Sequence, residues 1–294
     1  YGSTNNSGWG AGAASVVDLA RLGGAAAIDA MVDKLQRYGV CICAGLMADS
    51  TDCDGVGTTA RARSELGWAR DEGDLFRPSL KTGRQGEPVP RDDLVLWLDA
   101  NDETHQGRLP HLLSIERKIE QLGAAVAFRN GCGALAIVSR SAAMVSCYDG
   151  GGAQYQAHLD NPCGKLSEEP AFQPADNPTD LHATVALEAD AAGPIQTRHE
   201  GDDGRRLTAI FYPNDQDWSM DDGGELQVWS TPKNESASTE TQAQNHKYVR
   251  TAEENIFLRP AGGMLALFWA HATLHAVLPC SRRRFAVSIW FNKF

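Results

Sequence analysis

Tyr155-Gln-Ala-His158-Leu-Asp160-Asn-Pro162 is the stretch on which the fold turns. Residues two apart on a strand point the same way, so His158 and Asp160 face one side and Leu159 the other. Asn161-Pro162 reads as a turn, which puts the pair at a strand end. A His-x-Asp pair alone arises often by chance, so its weight depends on what the rest of the chain brings to it. Leu274-His275-Ala-Val-Leu-Pro279 offers a second imidazole, 115 residues beyond Asp160, which only a folded sheet can bring alongside. Nine residues further, Arg284 opens Arg284-Phe-Ala-Val-Ser-Ile-Trp290-Phe291. That spacing suits a strand, a turn and a return strand, with both side chains entering one barrel mouth. His271 competes with His275, but it reads as a turn residue and stands thirteen residues from Arg284. His105, His111, His182, His199 and His246 lack comparable surroundings.

Two imidazoles and a carboxylate on one side of a metal leave the opposite coordination positions open, the arrangement of non-haem Fe(II) oxygenases. A buried arginine nearby suits a carboxylate-bearing cosubstrate, because its planar fork can hold a carboxylate by two parallel hydrogen bonds.

The pattern around this constellation is α+β. Residues 13–38 carry helical periodicity broken at Gly23-Gly24, and Gly39 ends the second helix. Val40 to Cys43 reads as a strand with Cys41 and Cys43 on one face, small core residues rather than metal ligands. Residues 46–68 are mixed and compatible with another helix. Residues 70–93 read as a long mobile loop, Leu94–Leu98 as a strand and His111–Phe128 as a helix. From residue 134 short β-rich runs dominate, beginning with 134–138, Ala143–Tyr148 and Tyr155–His158. They resume at Leu207–Tyr212, Glu225–Trp229, Ile256–Leu258, Met264–Trp269, Leu274–Val277 and Arg284–Phe291. Early helices before some eight short strands predict a double-stranded β-helix (jelly-roll) core with N-terminal helices packed on one sheet. The expected organisation is a disordered 1–12 and a single domain over 13–294. Within it, 13–130 is helical support, 134–294 the jelly-roll core, and 161–203 and 231–250 are insertions.

A net charge of −11 over 294 residues disfavours a nucleic-acid partner, which needs a local excess of Lys and Arg. On charge alone, a peptide with some basic character is the expected target. No apolar run is long enough to span a membrane, and the first residues lack the basic-then-apolar pattern of a leader peptide. Seven cysteines, an odd count without framework spacing, fit free thiols in a reducing compartment. The expected location is the cytoplasm, with the nucleus also open.

Several runs together resemble the 2-oxoglutarate/Fe(II)-dependent prolyl hydroxylases that act on hypoxia-inducible factor. They are Met144-Val-Ser-Cys-Tyr148, the His158-Leu-Asp160 stretch, Gly204-Arg-Arg-Leu-Thr-Ala-Ile-Phe-Tyr212, Asp217-Trp218, Gly223-Gly224-Glu-Leu226, and Leu267-Phe-Trp269 through Trp290. Arg91-Asp-Asp-Leu-Val-Leu-Trp97 and Tyr38-Gly-Val-Cys41 extend the likeness upstream. Related cytoplasmic enzymes act on the adaptor subunit of SCF ubiquitin ligases and fit equally well.

The resemblance implies Fe(II) held by His158, Asp160 and His275. It implies 2-oxoglutarate paired with Arg284 and Tyr212, with Tyr148 near the metal-side end of the cosubstrate. Trp290, Leu226 and Ser288 would line that pocket, and Trp97, Tyr155 and Arg205 would lie toward the substrate. It further implies O2 as cosubstrate, ascorbate as support, a proline-containing transcription factor or SCF adaptor as substrate, and 4-hydroxyproline, succinate and CO2 as products, with a possible place in oxygen sensing. The other readings are a same-class oxygenase acting on another protein residue or a small molecule, and a non-catalytic jelly-roll binding module. The chain departs from the family in the long segment between Asp160 and Gly204, the polar run 231–250, Phe211 in place of a second tyrosine, and Glu225 in place of an apolar residue.

Overall fold

Strand β14 (Arg284–Lys293) is buried over its first eight residues, yet its two faces meet different surroundings. Phe285, Val287, Ile289 and Phe291 belong to an apolar cluster, whereas Arg284, Ala286, Ser288 and Trp290 line a cavity. The same period-two division runs through β6 (Met144–Tyr148) and β8 (Arg205–Phe211). Val145, Cys147, Leu207, Ala209 and Phe211 face the apolar cluster, and Met144, Ser146, Tyr148, Thr208 and Ile210 face the cavity. One set of strands thus builds the core with one face and the site with the other.

The structure, a computed structural model, describes residues 15–47, 57–79, 91–129, 137–162, 202–229, 249–252 and 255–293. The expected N-terminal disorder at 1–12, most of the insertions 161–203 and 231–250, and the first part of the run 134–138 lie outside the described residues.

Among the described residues the larger sheet holds nine strands. Besides β6, β8 and β14 these are β1 (Val16–Asp18), β2 (Val40–Ala44), β3 (Arg77–Pro78), β4 (Leu94–Trp97), β5 (Ile137–Arg140) and β12 (Leu265–Trp269). They run in the order β1-β2-β12-β8-β14-β6-β4-β3, with β5 also paired to β14. The smaller sheet has the order β10-β11-β9-β13-β7. Its strands are β7 (Ala153–His158), β9 (Leu226–Trp229), β10 (Val249–Ala252), β11 (Asn255–Leu258) and β13 (His275–Cys280). Ile42, Ile210, Ala266 and Phe268 of the larger sheet share a cluster with Leu226, Val228, Ile256 and Leu258 of the smaller one. Two sheets packed in this way form the jelly-roll core of an α+β fold.

The helices α1 (Leu19–Leu22), α2 (Gly24–Tyr38), α3 (Thr58–Asp71), α4 (Glu103–Arg108) and α5 (Pro110–Arg129) alternate with β1 to β4 and all precede β5 in the chain. Met31 and Leu35 of α2, Leu66 of α3, and Ile115 and Ile119 of α5 join the apolar cluster behind the larger sheet. Gly39 ends α2 in the left-handed conformation, φ 72°, as its position predicts. Gly123 lets α5 touch the sheet: a Cβ there would stand 2.0 Å from Phe291 Cζ.

Three expectations change. Val16–Asp18 is a strand paired parallel to β2 rather than part of a helix; β-branched Val16 and Val17 favour the pleat, and Asp18 caps α1 by accepting from the Arg21 amide. The described ends of the 70–93 loop are ordered: Phe76 is buried, Arg77–Pro78 pairs with β4, and Asp93 is buried against Arg91. Strand β13 continues past Pro279 to Cys280, with register shifts against β7, and the reversal falls at residues 281–283.

Candidate metal centre

His158 and His275 are direct cross-strand partners in the β7–β13 pair, which brings the two imidazoles together across more than a hundred residues. Asp160 lies two residues past His158, just beyond the end of β7. Its Oδ1 stands 3.6 Å from His158 Nε2 and 3.8 Å from His275 Nε2. The three ligand atoms lie within 4.8 Å of one another, the one His/Cys/Asp/Glu group among the described residues with metal-holding geometry. His158 Nδ1 is 2.8 Å from the Gln156 carbonyl, and His275 Nδ1 is 3.0 Å from that of Thr273. A carbonyl can only accept, so each Nδ1 carries the proton and each Nε2 presents a lone pair. Thr208 Oγ1 donates to Asp160 Oδ2 at 2.7 Å and leaves Oδ1 toward the histidines. Burial pushes the Asp160 carboxyl up, and positive charge on its imidazole side, from His275 foremost when protonated, pulls it below the usual carboxylate range.

Arg284 is 1% exposed. Its Nε donates to the Gly224 carbonyl at 2.9 Å, and its Nη1 has no hydrogen-bond partner among the described residues. The Tyr212 hydroxyl is likewise buried without a partner. The guanidinium carbon lies 5.0 Å from the Tyr148 ring centre and 5.1 Å from that of Tyr212. Burial pushes the Tyr212 phenol up to about 12 against the pull of Arg284, and it also pushes Tyr148 up. Both phenols therefore remain neutral donors at ordinary pH. Two unsatisfied donors this deep are costly unless an acceptor fills the gap. The backbone shapes the anchor too: at Gly224, φ 68°, a Cβ would stand 2.8 Å from Cys280 Cβ and 3.1 Å from Arg284 Cδ.

A cavity of about 750 Å³ joins these parts, its walls including Leu226, Val277, Ser288 and Trp290. Tyr212 is not on the wall but beside the guanidinium. Trp97 stands at the mouth, 48% exposed, its ring centre 6.2 Å from that of Trp290. Arg205 lies 4.2 Å over Trp290, and Tyr155 stacks on His158 at 3.8 Å. All the residues expected at the site thus converge on one cavity or its anchor. His271 does not line it; its neighbours are Arg206 and Asp202.

Arg91 and Asp93 were not marked as site residues by the sequence. Their buried fork, 2.5 and 2.6 Å, sets the Arg91 guanidinium 4.7 Å over the Tyr155 ring. Their i, i+2 spacing at the entry to β4 was the available signal. Among the described residues that line the cavity, Arg77, Arg91, Arg205 and Arg284 are the arginines and Asp160 the one carboxylate; Arg77, Arg91 and Arg205 are each paired with an aspartate just outside that lining.

The sequence model of the 2OG-Fe(II) oxygenase superfamily matches residues 143–292, from the start of β6 through β14. The chain belongs to this superfamily. Its oxygenases work with Fe(II), 2-oxoglutarate and O2, and the residues present fit that set. Two imidazole nitrogens and one carboxylate oxygen suit iron, and the unsatisfied Arg284 and Tyr212 donors suit a carboxylate. The human protein named Egl nine homolog 1 is 23% identical over 268 residues, which cover 90% of this chain and 46% of that protein. The match spans between a fifth and three fifths of the length of the curated relatives, 46% of the human protein, 20% of a Caenorhabditis elegans hypoxia-inducible factor prolyl hydroxylase and 58% of the human prolyl hydroxylase EGLN3. Two solved structures share the fold. A Trichoplax adhaerens prolyl hydroxylase in complex with a hypoxia-inducible-factor peptide superposes with a TM-score of 0.56, at 19% identity, over 90% of this chain and 88% of that one. A Pseudomonas putida prolyl-4-hydroxylase does so with a TM-score of 0.54, at 18% identity, over 91% and 99%. No helix among the described residues is long and apolar enough to cross a membrane.

Proposed function

We propose that this oxygenase hydroxylates a prolyl residue in a protein substrate, giving 4-hydroxyproline, succinate and CO2. The observation that carries the reading is the coexistence in one cavity of the His158–Asp160–His275 set, a buried carboxylate anchor at Arg284, and an aromatic mouth open to solvent. The names of the relatives and of the structural neighbours, prolyl hydroxylases in each solved case above, support proline as the target.

His158 and His275 would hold Fe(II) through Nε2 and Asp160 through Oδ1. Iron, 2-oxoglutarate and O2 together supply the oxidising power that converts a ring C–H to C–OH. Arg284 and Tyr212 would take the distal carboxylate of 2-oxoglutarate, and Tyr148 would stand on the metal side of that anchor. Leu226, Val277 and Trp290 keep water from the reacting atoms, and Ser288 offers a hydroxyl on the same wall. Tyr155, Trp97 and Arg205 orient the peptide at the mouth. Arg77, Arg91 and Arg205 are each paired with a carboxylate, Asp74, Asp93 and Asp203, so the mouth offers directed hydrogen-bond donors rather than a net charge for the peptide to match. The proposed substrate is a proline-containing transcription factor of the hypoxia-inducible type or an SCF adaptor, in the cytoplasm or the nucleus.

The test is succinate release with iron, 2-oxoglutarate and ascorbate, in parallel with mass spectrometry for one added oxygen on proline in adaptor and transcription-factor peptides. Succinate release with no modified proline in any peptide would refute the proline reading in favour of another substrate. Bound iron without turnover in any mixture would leave a binding module.

A further inference from the structure

Beside the metal centre lies a second buried polar cluster, Asn161, Asp202 and Arg206, that the chemistry above does not use. Asn161 is fully buried, and the side chains of Arg206 and Asp202 are 8% and 7% exposed. Four hydrogen bonds converge on the Asp202 carboxylate. Asn161 Nδ2 and the Gly204 amide each reach Oδ1 at 2.8 Å. Arg206 grips both oxygens, Nη1 to Oδ1 at 3.0 Å and Nη2 to Oδ2 at 2.8 Å. Asn161 Nδ2 also donates to the Arg205 carbonyl at 2.9 Å. The backbones are tied as well: Asn161 N–H donates to Ala270 O, and Ala270 N–H to Arg206 O, each at 2.9 Å.

The location of this cluster gives it a role. Asn161 directly follows Asp160, and Arg206 and Thr208 are i, i+2 on β8 and share a face. Thr208 holds the Asp160 carboxylate itself. Two rungs away, Arg206 holds the next residue, through Asp202. One strand face thus grips two successive residues, one by its side chain and the other by its amide. We infer that Asp202 and Arg206 are positioning residues for the metal-binding carboxylate, fixing the backbone at 160–161 so that Asp160 Oδ1 faces the two histidines. A buried ion pair adds little to stability over apolar packing of the same volume, so bulk stabilisation is a poor account of it. The planar Arg206 fork, by contrast, fixes direction as well as distance. The same pair joins residues 161 and 202, the two ends of the long segment that departs from the family, so that segment can vary without displacing Asp160.

The inference rests on His158, Asp160 and His275 being the metal ligands, and the test separates the two. Co(II) is titrated into the metal-free full chain and followed by its visible absorption. Wild type is expected to bind one Co(II) tightly, and His158→Ala to abolish that site; a wild type that binds none overturns the ligand reading and this inference with it. Asp202→Asn is expected to weaken Co(II) binding about 10- to 100-fold and to shift its absorption bands. Arg206→Lys, which keeps the charge but loses the fork, is expected to fall between the two. Glu116→Gln is the control: it breaks the buried Glu116–Arg140 pair, away from the triad, and should lower Tm while leaving Co(II) affinity and spectrum unchanged. Asp202→Asn with a lowered Tm but wild-type affinity and spectrum would make the cluster merely structural and overturn the inference. Should Asp202→Asn fail to fold, Arg206→Lys decides on the same criteria.

Discussion

Arg284→Lys isolates the guanidinium's geometry from its charge. The Nε of Arg284 is already committed to the Gly224 carbonyl at 2.9 Å, and Nη1 is the donor without a partner. A lysine keeps a positive centre but cannot bond Gly224 and present a second, directed donor to a carboxylate at once. The loss is one charge-assisted hydrogen bond, about 1.5–3 kcal/mol. At about 1.4 kcal/mol per tenfold, the dissociation constant for 2-oxoglutarate should rise roughly 10- to 150-fold. Thermal unfolding of the Mn(II)-loaded protein, with and without 2-oxoglutarate, reads this without turnover. At a concentration 100 times the wild-type dissociation constant, wild type gains about 2.7 kcal/mol. A variant weakened 100-fold gains only about 0.4 kcal/mol from the same relation, so its ligand-induced Tm shift nearly vanishes. Tyr212→Phe loses only a neutral hydroxyl, about 1 kcal/mol, and should show a roughly fivefold weakening. Equal Tm shifts in wild type and Arg284→Lys would refute the reasoning and assign the carboxylate to another residue.

His158→Ala and Asp160→Ala should each abolish iron binding as well as turnover, read by metal analysis after dialysis; a variant that retains stoichiometric iron contradicts the ligand assignment. Gly224→Ala introduces a Cβ at φ 68° against Cys280 and Arg284. It should cost about 2 kcal/mol or more in urea unfolding and impair 2-oxoglutarate binding together; retention of both would remove the close-approach argument. The Tyr212 phenol, about 12 in the folded protein, lies above its unfolded value near 10. Its contribution is therefore complete below about pH 10 and is lost as pH rises toward 12, by about 2–3 kcal/mol. Tyr212→Phe should flatten the stability profile in that window, and an unchanged slope would count against it. Trp97→Ala should raise KM for the peptide without changing that for 2-oxoglutarate, and equal changes in both would place Trp97 in the cosubstrate pocket.

Much of the metal set was visible in the sequence because strand periodicity is local. His158 and Asp160 share a face by their spacing alone, and the nine-residue interval to Arg284 favoured His275 over His271. The supports were not visible, since they are backbone carbonyls: Gln156 O and Thr273 O orient the imidazoles, and no side-chain pattern records them. The Arg91–Asp93 fork was read as part of a charged loop, because the pairing that removes those charges from water becomes apparent only when β4 lies beside β6. Net charge says little about the site for a related reason. It sums over the whole surface, whereas the cavity gathers arginines from distant parts of the chain.

The division of β6, β8 and β14 into two faces also governs which changes this lineage can accept. A point substitution at Met144, Ser146, Ile210 or Ser288 alters the cavity wall while the alternate residues keep the helices docked, so substrate preference can drift with the scaffold intact. A single-residue insertion within β14 has no such latitude. Unless a bulge absorbs it, it would turn every residue on one side of it to the opposite face, so that Arg284 and Trp290 could no longer share the cavity and the core behind them would lose part of its packing. Sequence variation among close relatives should therefore appear in these strands as substitutions at alternate positions, with changes in length confined to the connections between them.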